Sequence, residues 1–251
     1  MDDAAKIRQI IELARHSPTA IQVLEEAAGY GTRMVFDSTL KKGDSVRARF
    51  VFDENKVNLS REYEIHELFS HAVHEARHSV QFHRWGLRAG SQMMPADMIH
   101  TTWIMEADAN AFQAQCAYEL YYSNKLERSK ANTAWTEFGM DRTHIARFYE
   151  KAAEEDGRNV LNGKALSHAF LGFYQDFGTR SVYAENILTL IGNMSTAQAR
   201  SLCNFRDDLS PTKIAQQLEF RDVAYIQEHC PKLNLDDLFY AALLTPQYQQ
   251  L

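Results

Sequence analysis

Residues 62–85 read EYEIHELFSHAVHEARHSVQFHRW, and the period of their apolar positions decides what the rest of the chain is built around. Wound at about 100° per residue, Ile65, Leu68, Phe69, Ala72, Val73, Ala76 and Val80 fall in one stripe, the pattern of a helix laid against a core. His71, His74 and His78 fall on the opposite side, so these histidines are not strays within the apolar face. Ser60 is the expected N-cap, with Glu62 and Glu64 favourable in the first turn. Gly86 is the expected stop.

His74 and His78 lie four residues apart, which sets their rings side by side on neighbouring turns. Two imidazoles so placed can share one tetrahedral zinc. Glu75 points about 100° around the helix from His74 and reaches a zinc-bound water without being a ligand. That is the placement of a general base: zinc lowers the pKa of the water, Glu75 accepts its proton, and hydroxide attacks a carbonyl carbon. The competing reading is a solvated helix that happens to be rich in histidine, in a chain that holds ten of them.

A catalytic zinc takes three protein ligands and keeps one position open. Pro95 can open the next helix at its first turn, and that helix runs to about residue 123. It carries Glu106-Ala107-Asp108-Ala109-Asn110-Ala111. Its small residues Ala107, Ala109, Ala111 and Ala114 allow close packing on another helix. Glu106, Asn110 and Gln113 share a face. Glu106 is therefore the expected third ligand of one zinc ion per chain, and Asn110 is expected to hold a ligand histidine by its free ring N–H. Asp108 is the competing carboxylate, and His100 and His71 are the competing imidazoles. His71, one turn before His74, is also expected to line the cleft. An oxyanion-stabilising group is needed as well. Tyr63, His71, Arg77, Tyr118, His144, His168 and Tyr183 are candidates among which sequence does not choose.

The stretch His74-Glu75-Ala76-Arg77-His78, followed by a helix carrying Glu106-Ala107-Asp108-Ala109, resembles the gluzincin group of zinc metallopeptidases. In that group HExxH supplies two ligands and the catalytic glutamate, and a glutamate on a following helix supplies the third ligand. With Gln81 three residues after His78, the extended pattern is also similar to small bacterial metallopeptidase-like proteins of unassigned function. The resemblance covers roughly residues 46–120. The interval from His78 to Glu106 is longer than in the thermolysin-like pattern. No third histidine follows His78 at the short metzincin spacing.

Around this centre the chain reads as helices over 3–15 and 18–28 and strands over 33–37, 46–52 and 56–59. More helices follow over 132–251, with breaks near Gly157, Gly163, Gly178, Gly192, Pro211 and Pro231. The expected fold is α+β and predominantly helical. A zincin-like helix pair carries the metal site, preceded by a small antiparallel sheet. One domain over 1–251 is expected, with the metal-site core about 33–123 and a helical part about 132–251. One of the strands at 46–52 and 56–59 is the expected edge for an extended peptide substrate.

The chain has 251 residues, 45% hydrophobic and 24% charged, with a formal net charge of −6. An acidic balance argues against a nucleic-acid or anionic-membrane footprint. The three cysteines are odd in number and none has CxxC spacing, which argues against a disulfide framework and a cysteine-based zinc finger. Met1-Asp2-Asp3-Ala4 is acidic, and no apolar run approaches the roughly 18 residues of a membrane span. A soluble, cytoplasmic protein is expected. The expected function is a zinc peptidase acting on a peptide or protein. The second reading is a non-catalytic, zinc-stabilised regulatory or interaction protein on a peptidase-like scaffold.

Overall fold

Short polar side chains set the first boundaries. In a computed structural model, which describes residues 2–43, 46–86, 95–123 and 128–192, Asp2 caps α1 (Asp3–Ala14) by accepting from Ala5 N–H at 2.7 Å. Ser17 caps α2 (Pro18–Gly29), whose proline sits where no N–H is needed. A sheet follows, built of β1 (Arg33–Asp37), β2 (Ala48–Val51) and β3 (Lys56–Ser60). Then come α3 (Ile65–Trp85), α4 (Pro95–Tyr121), α5 (Arg128–Asp141), α6 (Thr143–Glu155), α7 (Arg158–Asn162), α8 (Lys164–Gln175) and α9 (Phe177–Gly192). The fold is α+β and mostly helical. No helix among the described residues is long and apolar enough to cross a membrane. The expected breaks at Pro211 and Pro231 lie outside the described residues.

The sheet differs from the antiparallel one expected: it is mixed, in the order β1-β3-β2. A tight turn through Phe52–Glu54, with Asn55 at φ 49°, joins β2 and β3 as antiparallel neighbours. The longer connection after β1 carries the chain across to the other edge, so β1 lies parallel to β3. β3 is thus the centre, with Val57 and Leu59 fully buried, and β2 is an edge. Asp37 ties the three strands together. It accepts from Thr39 within its own turn, from Arg49 Nη2 on β2 and from Asn58 Nδ2 on β3. Led by the Thr39 hydrogen bonds, these donors hold its carboxyl down at about 2.

Helix α3 does not start at Ser60. That residue ends β3: its hydroxyl donates to Leu40 O and accepts the Glu62 N–H at 3.3 Å, two residues short of the helix, and its own N–H donates to Arg47 O. Glu64 caps instead, in a reciprocal capping box with Glu67. Gly86 ends α3 in the left-handed conformation, at φ 67°. Similarly, the chain turns between α8 and α9 at Asp176, whose carboxylate takes Thr179 N–H and hydroxyl, and Gly178 lies inside the first turn of α9.

Helix α3 packs against α1, α2, α4 and the sheet, and its His74 and His78 meet Glu106 of α4. Ala107, Ala109, Ala111 and Ala114 of α4 are fully buried, as close helix packing requires. Helices α6 and α8 meet still more tightly. A Cβ on Gly172 would stand 2.8 Å from Ile145 Cα and 2.9 Å from His144 O, both backbone atoms. Gly172→Ala is therefore expected to cost about 3 kcal/mol in overpacking against about 1 kcal/mol gained in helix propensity. A thermal melt should show a loss of about 4–8 °C. A stabilised variant would mean that the two helices part without cost.

Candidate metal centre

Two turns of α3 and one of α4 bring three side chains to a point. His74 Nε2 and His78 Nε2 lie 3.1 Å apart. Glu106 Oε2 is 3.3 Å from His74 Nε2, and Glu106 Oε1 is 3.4 Å from His78 Nε2. Among the described residues this is the His/Cys/Asp/Glu group that could hold a metal ion. Zinc-to-donor distances of about 2.0–2.2 Å imply tetrahedral edges of about 3.3–3.6 Å, so the three donors, 3.1–3.4 Å apart, are spaced close to one face of such a tetrahedron. Glu106 Oε2 is buried and accepts no hydrogen bond, leaving a lone pair aimed among the imidazoles.

The electrostatics agree. Burial opposes charge on His78, yet the Glu106 carboxylate outweighs it and pushes the imidazole up to about 9. Burial likewise opposes charge on Glu106, yet the two histidines hold its carboxyl well below the usual range. The three groups together stabilise a positive charge at their centre. A proton can supply it, and a metal cation would compete for the same place.

His78 is aimed from behind. Its Nδ1–H donates to Gln81 Oε1 at 2.8 Å, which turns the Nε2 lone pair toward the centre. Gln81 Nε2 in turn donates to Met105 O at 2.9 Å and to Asp108 Oδ2 at 2.7 Å, fixing which end of the amide faces the histidine. Asp108 is thus not a competing ligand. It is fully buried and forms a two-bond ion pair with Arg77, 2.8 Å from Nε to Oδ2 and 3.2 Å from Nη2 to Oδ1. The Arg77 guanidinium also lies 3.9 Å from the centre of the Phe112 ring.

Asn110 does not hold a histidine either. It donates to the Glu106 carbonyl at 2.8 Å and accepts from Arg142 Nε at 3.1 Å. Helix geometry explains the exchange: one turn beyond Glu106, its amide faces the junction of α5 and α6 and not α3.

Glu75 points from α3 toward the edge strand, where its Oε2 accepts the Phe50 N–H at 2.6 Å. Burial pushes its carboxyl up, against the pull of His74 and His78. His71 lines the same cleft, outside the donor triad. Burial, aided by Arg47, holds His71 down at about 3. It is therefore neutral, and its Nε2 accepts from Arg47 Nη1 at 3.3 Å. The side chain of His100 lies outside what the structure describes.

The cleft measures about 290 Å³ and is walled by β2, α3, α4, Arg142 and Tyr183. Of the oxyanion candidates, His71 and Tyr183 reach it. Arg77 is committed to Asp108. Tyr63 packs under Arg47, and Tyr118 packs against Trp135 and Tyr149. His144 is exposed at the start of α6, and neither it nor His168 lines the cleft. Burial, reinforced by the Glu106 carboxylate within hydrogen-bonding reach, pushes the Tyr183 phenol far up, so it is a permanent donor. Arg142 and the Phe50 N–H were not foreseen from the sequence. Neither sits in a motif, and both arrive through long-range packing.

An HExxH helix crossed by a helix that adds a part-buried glutamate forms a group that could hold a metal ion. Residues 1–204 match the model of the family described as "Putative metallopeptidase family (DUF6782)", and the chain belongs to that family. No curated protein and no solved structure matches it.

Proposed function

We propose that this protein is a zinc-dependent peptidase holding one zinc ion per chain through His74 Nε2, His78 Nε2 and Glu106. The observation that carries the reading is the 3.1–3.4 Å spacing of those donors. Two imidazoles and a carboxylate suit zinc, and all three line the cleft, where a substrate would meet the ion they hold. Zinc held there would supply a Lewis acid that makes water a nucleophile near neutral pH. Glu75 is tethered through Oε2 by the Phe50 N–H, which leaves Oε1 to take a proton from the attacking water and pass it to the leaving amine. The Tyr183 hydroxyl donates to the carbonyl oxygen as charge develops on it. Gln81 keeps His78 in the tautomer that presents Nε2. A purely structural zinc has no use for a part-buried, cleft-facing acid beside its ligands, which favours catalysis over the regulatory reading.

The test is metal content, followed by peptide hydrolysis. One zinc per chain is expected. A chelator should abolish cleavage of a mixed peptide pool, and zinc should restore it. Zinc at a thousandfold excess over its Kd should stabilise the apoprotein by about 4 kcal/mol. His74→Ala/His78→Ala should lose both zinc binding and that stabilisation. A wild-type protein that takes up no zinc on titration would end the proposal.

A further inference from the structure

We propose that Arg142 binds the free α-carboxylate of a peptide, so that the site removes residues from C-termini; this rests on the peptidase reading above. Arg142 lines the cleft with the donor triad, His71 and Tyr183. Its Nε donates to Asn110 Oδ1 at 3.1 Å and its Nη1 to Asp141 O at 3.0 Å. Both partners are neutral carbonyl oxygens. The other arginines around the centre are balanced: Arg47 by Glu137 and Asp141, Arg49 by Asp37, and Arg77 by Asp108. Arg142 has no carboxylate partner among the described residues.

A half-buried guanidinium without a counter-charge is costly unless something anionic meets it. Here it is held in place. Asn110, which accepts from Nε, itself donates to the Glu106 carbonyl, so Arg142 is fixed to the turn of α4 that carries a metal-binding side chain. It stands just before α6, a helix end with no side-chain cap, and the helix dipole adds positive potential there. Two of its five N–H groups are used. The remaining three include both terminal nitrogens, the fork that matches a carboxylate with two parallel bonds.

The developing oxyanion is the other negative charge such a site meets. Tyr183 lines the same cleft as Glu106 and offers the single neutral donor a carbonyl oxygen needs. A full charge with three spare donors fits a carboxylate better. In a C-terminal residue the carboxyl carbon lies only three bonds from the scissile carbonyl carbon, so both anions fall within one small cleft. The cleft of about 290 Å³ stands at the lower limit of the usual ligand-pocket range of about 300–1,000 Å³. That suits one or two residues at a chain end more than a long internal segment.

The probe is a mixed-sequence pool of N-acetylated tripeptides, prepared as free acids and as C-terminal amides. Binding is read as thermal stabilisation of the Glu75→Gln protein, zinc-loaded and metal-free, so that turnover plays no part. The acid pool should raise Tm in both forms and the amide pool should not. Arg142→Gln in that background should erase the difference, and Arg142→Lys should retain part of it. With wild type, C-terminal trimming of the acid pool should exceed cleavage of the amide pool by about 30- to 100-fold in kcat/KM, the value of charge-assisted hydrogen bonds. Equal shifts from acid and amide, no shift from either, or a preference that survives Arg142→Gln would overturn the inference. An amide pool cut as fast as the acid pool would also overturn it and leave the peptidase reading intact. An Arg142-dependent acid preference without any trimming would do the reverse: the carboxylate site would stand and the peptidase reading would fall.

Discussion

Glu75→Gln is expected to reduce peptide hydrolysis at least about a thousandfold while leaving zinc stoichiometry unchanged. General acid–base catalysis contributes typically about 10²–10⁴, and in the proposed reaction one carboxylate both takes the proton of the water and delivers it to the leaving nitrogen. A thousandfold loss corresponds to about 4 kcal/mol of transition-state stabilisation. Glutamine keeps the size of the side chain, and its amide oxygen still accepts the Phe50 N–H that now ends on Glu75 Oε2. It removes only the basic lone pair. The loss should appear in kcat with KM little changed, because the tether and the cleft wall persist. Burial already pushes the Glu75 carboxyl up, so the charged form costs the metal-free fold stability at neutral pH. The metal-free variant should therefore melt no lower than wild type. Cleavage that survives the substitution would show that Glu75 is not the base.

The parts of this centre differ in how far the sequence displayed them. His74 and His78 could be read directly, because an i, i+4 pair is a local property of one helix. Glu106 needed a chemical demand, the missing third donor, and a helix of small residues able to come close. Choosing it over Asp108 is a matter of facing. Two residues apart on a helix, the two acids point in nearly opposite directions, and the structure turns Asp108 to Arg77 and Glu106 to the imidazoles. Asn110 looked like a support for histidine because it shares the face of Glu106. Its real neighbour, Arg142, lies at a junction between helices far along the chain, and no local pattern announces such a meeting. The sheet makes the same point. The turn at 53–55 shows that β2 and β3 form a hairpin, but nothing local says that β1 adds in parallel to the far side of β3.

Asp108→Ala is expected to be the most destabilising single change near the centre. Arg77 is 1% exposed and Asp108 0%, so removing the carboxylate takes a two-bond counter-charge from a buried guanidinium. Breaking such a pair from one side costs about 3–5 kcal/mol, which in a chain of this size lowers Tm by about 6–20 °C. Most of that cost is the loss of the Asp108 carboxylate from a buried guanidinium. Asp108→Ala combined with Arg77→Met should therefore recover much of the loss, and a double-mutant cycle by thermal or denaturant unfolding measures how much. The pair has a second consequence through Gln81, which joins Asp108 to the His78 ring. Gln81→Met leaves the ion pair intact and frees the ring, so zinc affinity should fall about 10- to 100-fold with a much smaller loss of stability than Asp108→Ala. The double variant should refold yet bind zinc weakly, because neither Asp108 nor the order it imposes on Gln81 returns. If Asp108→Ala melted like wild type, the buried pair would carry no net weight. If Gln81→Met bound zinc as tightly as wild type, the orientation of His78 would have to come from the helix packing alone.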